Sequence, residues 1–544
     1  MVNLSDEKIT KLLVLLKQQP RAGKRNNRTY IDTGNNRELI GLKRHTVIFG
    51  RRGSGKTMLL SELFPLAKAE HAGMLWIDID DYKTLTFPDI LIQLLRALFA
   101  GVQRDLQSLN PWWKTHKWLR SKNVISAVTK EEQSLTKMLD RFEEAEISRE
   151  VLSEKSQTLS KANEMGVKNR SLAGKSSDSS ARSDRSSSKE TASGKEKKSD
   201  LISRHLHDAK QLLQKALEQS YSTYYLVLDD FYHLHPEDQA QVLDFLQSLT
   251  KNLDVFVKFG TIAHRSRLYK QDGSIISGMQ KEHDVLAIDL DRTFQNYSEV
   301  ETFIRQLWLQ ILKSNELTEL EGLFGGDSWK QIVLASGGTP RDFMNILAKT
   351  LEIGRSRSRE KIDVNLVNEA ANLYLRETKH EDLISDGSRA TGELENLLMD
   401  IRTFCVDDKK RNLFLIDKDF LESRPDQSEL LRQLVDFRFI HLVHSNTSAA
   451  GRHGRFEAYM LDVGLYSYPQ RRGKNKVKQV DFLQRDEKHR ADAVRAQSIY
   501  VIKESYVDRI GDPFEFDETT TGSDSEVAEP EELIDESGQR LLGF

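Results

Sequence analysis

The sequence has very little cysteine and proline and no long hydrophobic run. Its 544 residues include one cysteine, Cys405, and 10 prolines. A single cysteine cannot form an intramolecular disulfide, so nothing in the chain requires an oxidising compartment. No stretch reaches the ~18 apolar residues that cross a bilayer, and the N-terminal residues lack the basic start and cleavage site of a secretory signal. These absences predict a cytoplasmic protein with no membrane partner.

The net charge is also small: the chain has 80 Lys and Arg residues and 83 Asp and Glu residues, which gives a formal charge of −3. The distribution along the chain is uneven. Between Asp512 and Ser537 there are eleven acidic residues and no basic one. The near-neutral total therefore conceals a net basic body and an acidic tail.

Strand-like apolar runs alternate with helical patterns over roughly the first 300 residues. One run precedes Gly50, and four more occupy Gly73–Asp80, Tyr224–Asp230, Asp254–Thr261 and Val285–Leu290. Near-continuous apolar strands are typical of sheets that are covered on both faces. The pattern predicts an α/β protein with a mostly parallel sheet.

The second and third runs are separated by roughly 140 residues, far more than an ordinary crossover needs. We interpret this gap as an insertion. Its first part, up to about Met165, is rich in helix formers and holds three of the six tryptophans, at positions 112, 113 and 118. Its second part, Val167–Asp200, is rich in Ser and Lys and is predicted to be disordered.

The second half of the chain begins with four helical patterns, at Tyr297–Ser314, Asp327–Ala335, Pro340–Ile353 and Asp363–Arg376. These predict a small all-α domain. Further helices and then two strands joined by a polar loop follow up to Tyr468, which predicts a winged helix. Its expected recognition helix, 426–437, would expose a mixed face with three acidic residues, Asp426, Glu429 and Asp436, and few phosphate contacts.

The segment Gly50–Thr57 reads GRRGSGKT and fits the P-loop pattern, with a strand before it and a helical pattern after it. Glycines let the backbone wrap closely around phosphates, and the helix N-terminus attracts their charge. Lys56 is expected to reach the β- and γ-phosphates of ATP or ADP, and Thr57 to ligate Mg²⁺. The predicted nucleotide-binding residues are Gly50, Arg51, Arg52, Gly53, Ser54, Gly55, Lys56, Thr57 and Met58.

Asp229 and Asp230 end the third apolar run, which places both carboxylates at the carboxyl edge of the predicted sheet, where ligands bind. We expect Asp229 to ligate Mg²⁺ beside Thr57, and Asp230 to act as the base that orients the attacking water. Asp230 is shorter than the glutamate usual at this position, which favours slow hydrolysis.

Three further positions could serve the same nucleotide. Thr261 ends the next strand, where a polar side chain could contact the γ-phosphate, or simply end the strand. Arg265 and Arg267 follow it and could act as an arginine finger on this or a neighbouring subunit, or be solvated loop residues. Arg341 opens a helix after a Gly-Gly-Thr-Pro turn.

These pieces, in this order, resemble an AAA+ ATPase: GRRGSGKT as Walker A, LVLDD as Walker B, Thr261 as sensor 1 and Arg341 in GTPR as sensor 2, followed by a winged helix. Within that class the chain most resembles the origin-recognition and replication-initiator group. The Asp-Asp Walker B also resembles STAND signalling ATPases, whose winged helix senses nucleotide. The resemblance implies a P-loop NTPase with an AAA+-type sheet, a helical lid and a winged helix.

The predicted order is an ATPase core in two parts (1–102 and 203–296) around an insertion (103–202), then a lid (297–380), a winged helix (390–470), a basic extension (471–511) and an acidic tail (512–544). Catalytic roles are assigned to Lys56, Asp230, Thr261 and Arg341. The candidate DNA contacts are Arg432, Arg452, His453, Arg455, Arg471 and Arg472, which fit binding of the phosphate backbone, or alternatively a solvated face.

Two functions agree with these features. The first is an ATP-dependent DNA-binding switch with slow hydrolysis. The second is a STAND-like signalling or scaffold ATPase that binds a protein partner through the insertion or the acidic tail. Homo-oligomers fit both functions. Replication initiation, control of mobile elements and defence against foreign DNA are all compatible with the motifs.

Overall fold

The computed structural model describes residues 4, 6–18, 30–32, 34–109, 121–139, 202, 205–273, 275–385, 391–469, 476–479 and 487–503. The predicted disordered segment at 167–200, the three tryptophans of the insertion and the acidic tail lie outside these residues. None of the described helices is both long and apolar enough to cross a bilayer.

The predicted parallel sheet is confirmed. Its five strands run in the order β2-β3-β4-β1-β7, and every neighbouring pair is parallel. Between β4 and β7 the chain forms a separate antiparallel hairpin, β5–β6, that the sequence did not predict. The strand bounds are β1 Thr46–Phe49, β2 Gly73–Asp78, β3 Tyr224–Asp229, β4 Val255–Thr261, β5 Tyr269–Asp272, β6 Ile275–Gly278 and β7 Leu286–Asp289.

Helices cover both faces of the sheet, as the apolar strands require. One buried cluster joins the sheet to α5, to α6 of the insertion, and to α7 and α8, and a second cluster on the other face joins it to α2, α3 and α4. The bounds are α2 Asn36–Gly41, α3 Lys56–Ser61, α4 Leu63–Glu70, α5 Asp89–Leu109, α6 121–139, α7 205–217 and α8 Pro236–Thr250.

The predicted lid is helical, with α9 Tyr297–Ser314, α10 Ser328–Ala335, α11 Pro340–Ser356 and α12 Val364–Tyr374, and α13 His380–Ser385 follows it. The first helix of the chain, α1 Glu7–Gln18, packs on this lid instead of the ATPase core to which residues 1–102 were assigned. Its apolar stripe, Ile9, Leu12, Leu13 and Leu16, is buried in the lid cluster. That assignment was wrong for α1, because an amphipathic stripe does not identify the surface that covers it.

The last described domain has the element order of a winged helix. Three helices, α14 Thr391–Arg402, α15 Lys418–Ser423 and α16 Pro425–Asp436, accompany an antiparallel sheet of order β8-β10-β9. The strands are β8 Leu413–Asp417, β9 Ile440–Thr447 and β10 Phe456–Leu461, and α17 Glu487–Arg495 follows. The lid and this domain share one continuous buried core. We therefore treat them as one packed unit.

Candidate nucleotide-binding site

The P-loop links the end of β1 to the start of α3. Gly53 and Gly55 have φ angles of 81° and 105°, which side chains with a Cβ rarely adopt. Lys56 is the first residue of α3, and its Nζ donates hydrogen bonds to the carbonyl oxygens of Gly50 (2.8 Å) and Arg51 (3.3 Å). Burial lowers the pKa of Lys56, and nearby carboxylates, Asp230 first, oppose that change.

Ser54 shows that this loop suits a phosphate group. Its Oγ atom is buried and has no hydrogen-bond partner among the described residues. A buried hydroxyl without a partner is costly, and a phosphate oxygen would accept its hydrogen bond. Met58, the last predicted nucleotide-binding residue, follows Thr57 in α3 and is partly buried. The loop residues therefore fit the group that the motif implies.

The sheet brings the predicted Mg²⁺ ligands together. The hydroxyl of Thr57 donates to Asp229 Oδ1 at 3.3 Å, and Asp229 is 4% exposed. Burial, with a smaller contribution from Asp230, raises the pKa of Asp229 to about 7. A cation beside a buried carboxylate offsets the cost of burying its charge, and Mg²⁺ prefers oxygen ligands. Thr57 and Asp229 therefore fit a magnesium ion accompanying a nucleotide.

Asp230 leaves the strand in a left-handed conformation, with φ of 52°, and its N–H donates to Asp229 Oδ1 at 3.1 Å. Its side chain is only partly buried. This turn separates the two neighbouring carboxylates into different environments. Asp229 lies against Thr57, and Asp230 is open to the solvent side of the same edge.

The next strand places Thr261 beside the P-loop. Thr261 pairs with Phe49 in the sheet, and its carbonyl oxygen accepts from the N–H of Gly50 at 3.1 Å. Its hydroxyl contacts that of Ser266. Thr261 is fully buried, and its pairing with Phe49 in the sheet holds it at this edge.

The lid contacts the P-loop directly. A Cβ at Gly53 would lie 2.9 Å from Cβ of Arg341 and 3.1 Å from Cγ2 of Thr339, so the turn that carries the predicted sensor 2 arginine rests on the loop. Arg51 strengthens this contact. Its side chain pairs with Asp291 after β7 (Nε to Oδ1, 3.3 Å) and donates to the carbonyl oxygen of Gly337 in the lid at 3.4 Å.

The winged helix also reaches this site, which the sequence analysis missed. Asp436, at the end of α16, accepts from Arg265 Nε at 3.1 Å, and its Oδ2 lies 2.8 Å from His264 Nε2. The next residue, Phe437, lies beneath the guanidinium groups of Arg52 and Arg265, at 5.0 and 5.8 Å from its ring centroid. The end of α16 therefore packs between the P-loop and the segment after β4.

These contacts correct two expectations. Asp436 was expected on the exposed face of the recognition helix, but it is 2% exposed because the segment after β4 covers it. Arg265 was a candidate arginine finger, and in this structure it is engaged by Asp436 of its own chain. Arg267 is exposed, and its backbone N–H donates to Gln239. Of the two arginines, only Arg267 points to solvent.

A buried ionic network ties the lid to the winged helix. Arg438 is fully buried, and its Nε lies 3.0 Å from Asp342 Oδ2, one residue after Arg341. Lys379 lies 3.2 Å from Asp342 and 2.7 Å from Asp462. Burial alone would raise the pKa of Asp342, but Arg438 and Lys379 outweigh it and lower that pKa to about 2.

Arg438 also connects this network to the nucleotide site, because its NH1 donates to the carbonyl oxygen of Arg52 in the P-loop at 3.3 Å. These contacts could not be predicted from the sequence, because their partners come from distant parts of the chain.

The candidate DNA contacts divide into three groups. Arg432 is engaged inside the winged helix, where it donates to Glu457 at 3.0 Å and to the hydroxyl of Tyr459 at 2.9 Å. Three residues at the tip of the loop between β9 and β10 are exposed: Arg452, His453 and Arg455. Arg471 and Arg472 lie outside the described residues.

The strand order decides the fold. Strand β4, which carries Thr261, lies between the P-loop strand β1 and the Walker B strand β3, and a helical lid follows the sheet. The fold is that of an AAA+ ATPase. Its P-loop and the predicted Walker B and sensor 1 positions meet at one carboxyl edge, which is where nucleotides bind in open α/β sheets.

Comparison with known proteins gives no family model that matches and no similar curated protein. Solved structures that resemble this chain include three proteins. Cdc6p of Pyrobaculum aerophilum is 13% identical, with a TM-score of 0.32, over 80% of this chain and 92% of its own. The ORC1 protein of Aeropyrum pernix, solved with DNA, is 12% identical, with a TM-score of 0.29, over 84% and 89%.

The third is a Walker-type ATPase of Pyrococcus abyssi, which is 13% identical, with a TM-score of 0.37, over 82% of this chain and 97% of its own.

Proposed function

We propose that this protein is an ATP-binding, slowly hydrolysing AAA+ switch whose winged helix is held at the nucleotide site and is released by ATP to contact DNA. The observation that carries the proposal is the ion pair between Asp436 of α16 and Arg265, next to the predicted sensor 1 position. The pair joins the domain that would bind DNA to the site that would bind ATP.

Charge at the site gives ATP and ADP different effects on this contact. Asp436 is one of the carboxylates whose charge opposes the lowering of the Lys56 pKa by burial, and Lys56 is expected to meet the β- and γ-phosphates. A γ-phosphate would therefore repel Asp436 and compete with it for Arg265. ADP lacks that group and leaves the pair intact. A ligand shifts a conformational equilibrium only through such a difference in affinity between the two states.

The residues assigned to hydrolysis support slow turnover. Thr57 and Asp229 would hold Mg²⁺, which neutralises developing charge on the phosphates. Asp230 would orient the attacking water, and Arg341, beside Gly53, would contact the γ-phosphate from the lid. The short side chain of Asp230 and the engagement of Arg265 by Asp436 both favour slow hydrolysis, so each nucleotide-bound state would last a long time.

The exposed tip of the winged helix supports DNA as the partner of the released state. Arg452, His453 and Arg455 can neutralise backbone phosphates, which positions a protein without reading sequence. Arg432 contributes less, because Glu457 already engages its guanidinium group. Binding of this kind falls steeply as salt is raised.

The Asp436→Asn variant tests the proposal. Removing the charge should free the winged helix, so duplex DNA binding, measured by fluorescence anisotropy, should become nearly independent of nucleotide. In the wild type, binding should be stronger with a non-hydrolysable ATP analogue than with ADP. The matched control is Asp426→Asn, an exposed residue at the other end of α16, which should keep the nucleotide dependence. The proposal would be contradicted if neither the wild type nor either variant bound DNA with any nucleotide.

A STAND-like signalling ATPase is the second candidate, and one observation favours it. Arg438 of the winged helix donates to a P-loop carbonyl oxygen, a contact suited to a domain that senses nucleotide and holds a resting state. This candidate predicts that ADP co-purifies with the protein and that ATP causes assembly without DNA. Light scattering with and without a DNA duplex separates the two functions.

A further inference from the structure

A second pocket lies between the lid and the winged helix, with a volume of about 1010 Å³. Its described walls come from α10 and α12 of the lid, from the segment before β8, from the residues after β10, and from 476–479. The lining residues include Gln331, Arg411, Ser467, Lys476, Lys478 and Gln479. None of these belongs to the nucleotide site described above.

The described walls of this cleft are strongly basic. They carry five cationic side chains, from Lys409 to Arg411 and at Lys476 and Lys478, against one carboxylate, Asp408. Arg411, Lys476 and Lys478 form no side-chain ion pair with another described residue. A cleft lined by charges of one sign concentrates counter-ions, so this cleft attracts anions.

The backbone holds two of these charges side by side. Arg411 and Lys478 face each other in a β-bridge, and the N–H of Lys478 donates to the carbonyl oxygen of Lys410 at 2.9 Å. Like charges at facing positions are destabilising unless an opposite charge compensates them. An anion bound between them would supply that compensation.

Polar groups in the same walls would complete an anion site. Ser467 Oγ is buried and has no hydrogen-bond partner among the described residues. The side-chain amide of Gln479 donates to Gln331 at 3.4 Å, which places further amide groups at the wall. Phosphate groups accept several hydrogen bonds at once, from cations, hydroxyls and amides alike.

We propose that this cleft binds a small polyphosphorylated ligand and thereby stabilises the packing of the lid on the winged helix. The volume is at the upper end of the range for small-molecule sites, about 300–1,000 Å³. A cleft with walls from two domains suits a compact anion between them, whereas a duplex backbone calls for an extended basic stripe. A ligand that touches both domains favours the state in which they are packed together.

Inorganic tripolyphosphate tests the proposal by isothermal titration calorimetry on the full chain in the Lys56→Ala background, which removes the P-loop lysine. We expect binding at one site per chain, weakened about tenfold or more by Arg411→Gln combined with Lys478→Gln, since charge-assisted hydrogen bonds are the strong ones. The matched control is Lys251→Gln with Lys270→Gln, two exposed lysines of the ATPase core. This control also removes two positive charges and should bind tripolyphosphate as tightly as the Lys56→Ala protein does.

Three results would overturn the proposal: no binding of tripolyphosphate, an equal loss in the control pair, or binding that the Arg411 and Lys478 changes leave unaltered. If tripolyphosphate does not bind, and the Arg411→Gln and Lys478→Gln variant loses binding to a DNA duplex, the cleft is a nucleic-acid site instead. Circular dichroism of each variant verifies folding. Because the readout does not depend on Asp436, failure here is separable from failure of the proposed switch.

Discussion

The three basic residues of the P-loop lie in different surroundings although they stand within six positions of one another. Lys56 is buried against loop carbonyl oxygens, Arg51 is paired with Asp291, and Arg52 lies over Phe437. Of the three, Lys56 is the residue that we propose meets the phosphates. Arg51 and Arg52 instead connect the loop to the lid side and to the winged helix.

Replacing Lys56 with Ala should therefore weaken ATP binding about 10- to 100-fold, because a hydrogen bond to a charged group contributes about 1.5–3 kcal/mol. Fluorescent ATP analogues measure this directly. Lys68→Ala, at an exposed position of α4, is the control and should bind as the wild type does. Equal affinity in the Lys56 variant would show that the nucleotide binds elsewhere.

At this scale, local motifs were predictable and long-range partners were not. The P-loop and the two aspartates after β3 were identified because each is defined by its immediate neighbours in the chain. The burial of Asp436 was missed, because the arginine that pairs with it is 171 residues away. Periodicity identifies the polar face of a helix, but it does not say what covers that face.

At the scale of elements, α11 joins two sites. Arg341 at its start lies beside Gly53 of the P-loop, and Asp342, the next residue, is buried between Lys379 and Arg438. If nucleotide shifts α11, Asp342 moves with it, and its ion pairs with Lys379 and Arg438, which hold the winged helix, change as well. This arrangement gives the lid and the winged helix a physical reason to move together.

Asp342→Asn should loosen that unit. Breaking a buried ion pair by removing one partner costs about 3–5 kcal/mol, because the remaining charges stay buried. Amide hydrogen exchange should become faster in α11, α12 and β9. Glu301→Gln, which removes a half-exposed pair with Arg305 on α9, is the control and should cost no more than about 1 kcal/mol. Unchanged exchange in the Asp342 variant would mean that apolar packing alone holds the unit.

The parallel strands and lid helices were predicted well because their apolar patterns are strong, and the parallel sheet is confirmed. The hairpin β5–β6 was not predicted, since all four residues of β5 are exposed and YKQD carries no apolar alternation. Backbone pairing, which a pattern of side chains does not reveal, forms these two strands.

At the scale of the whole molecule, charge is divided between a basic body and the acidic segment from Asp512 to Ser537. An acidic segment can occupy the same basic surfaces as nucleic acid, because both present closely spaced negative charge. The exposed wing residues and the cleft beside the lid are two such surfaces within the described part of the chain. The tail is therefore expected to compete with anionic ligands.

Deleting the residues after Gly511 should raise affinity for duplex DNA at low salt, and the gain should shrink as salt screens the charges. Anisotropy titrations at two salt concentrations measure both effects. A chain that ends at Ser537 loses residues 538–544, which include no acidic side chain, and serves as the control. Equal affinities for all three chains would show that the tail does not compete.

The position of α1 determines how the lid is connected to the ATPase core. Because α1 packs on the lid and the chain then builds the ATPase core before returning to α9, the lid is made from two separated parts of the sequence. Two covalent connections, before α2 and after β7, therefore join it to the core. The lid core is therefore complete only when residues from both sides of the ATPase core in the sequence have come together.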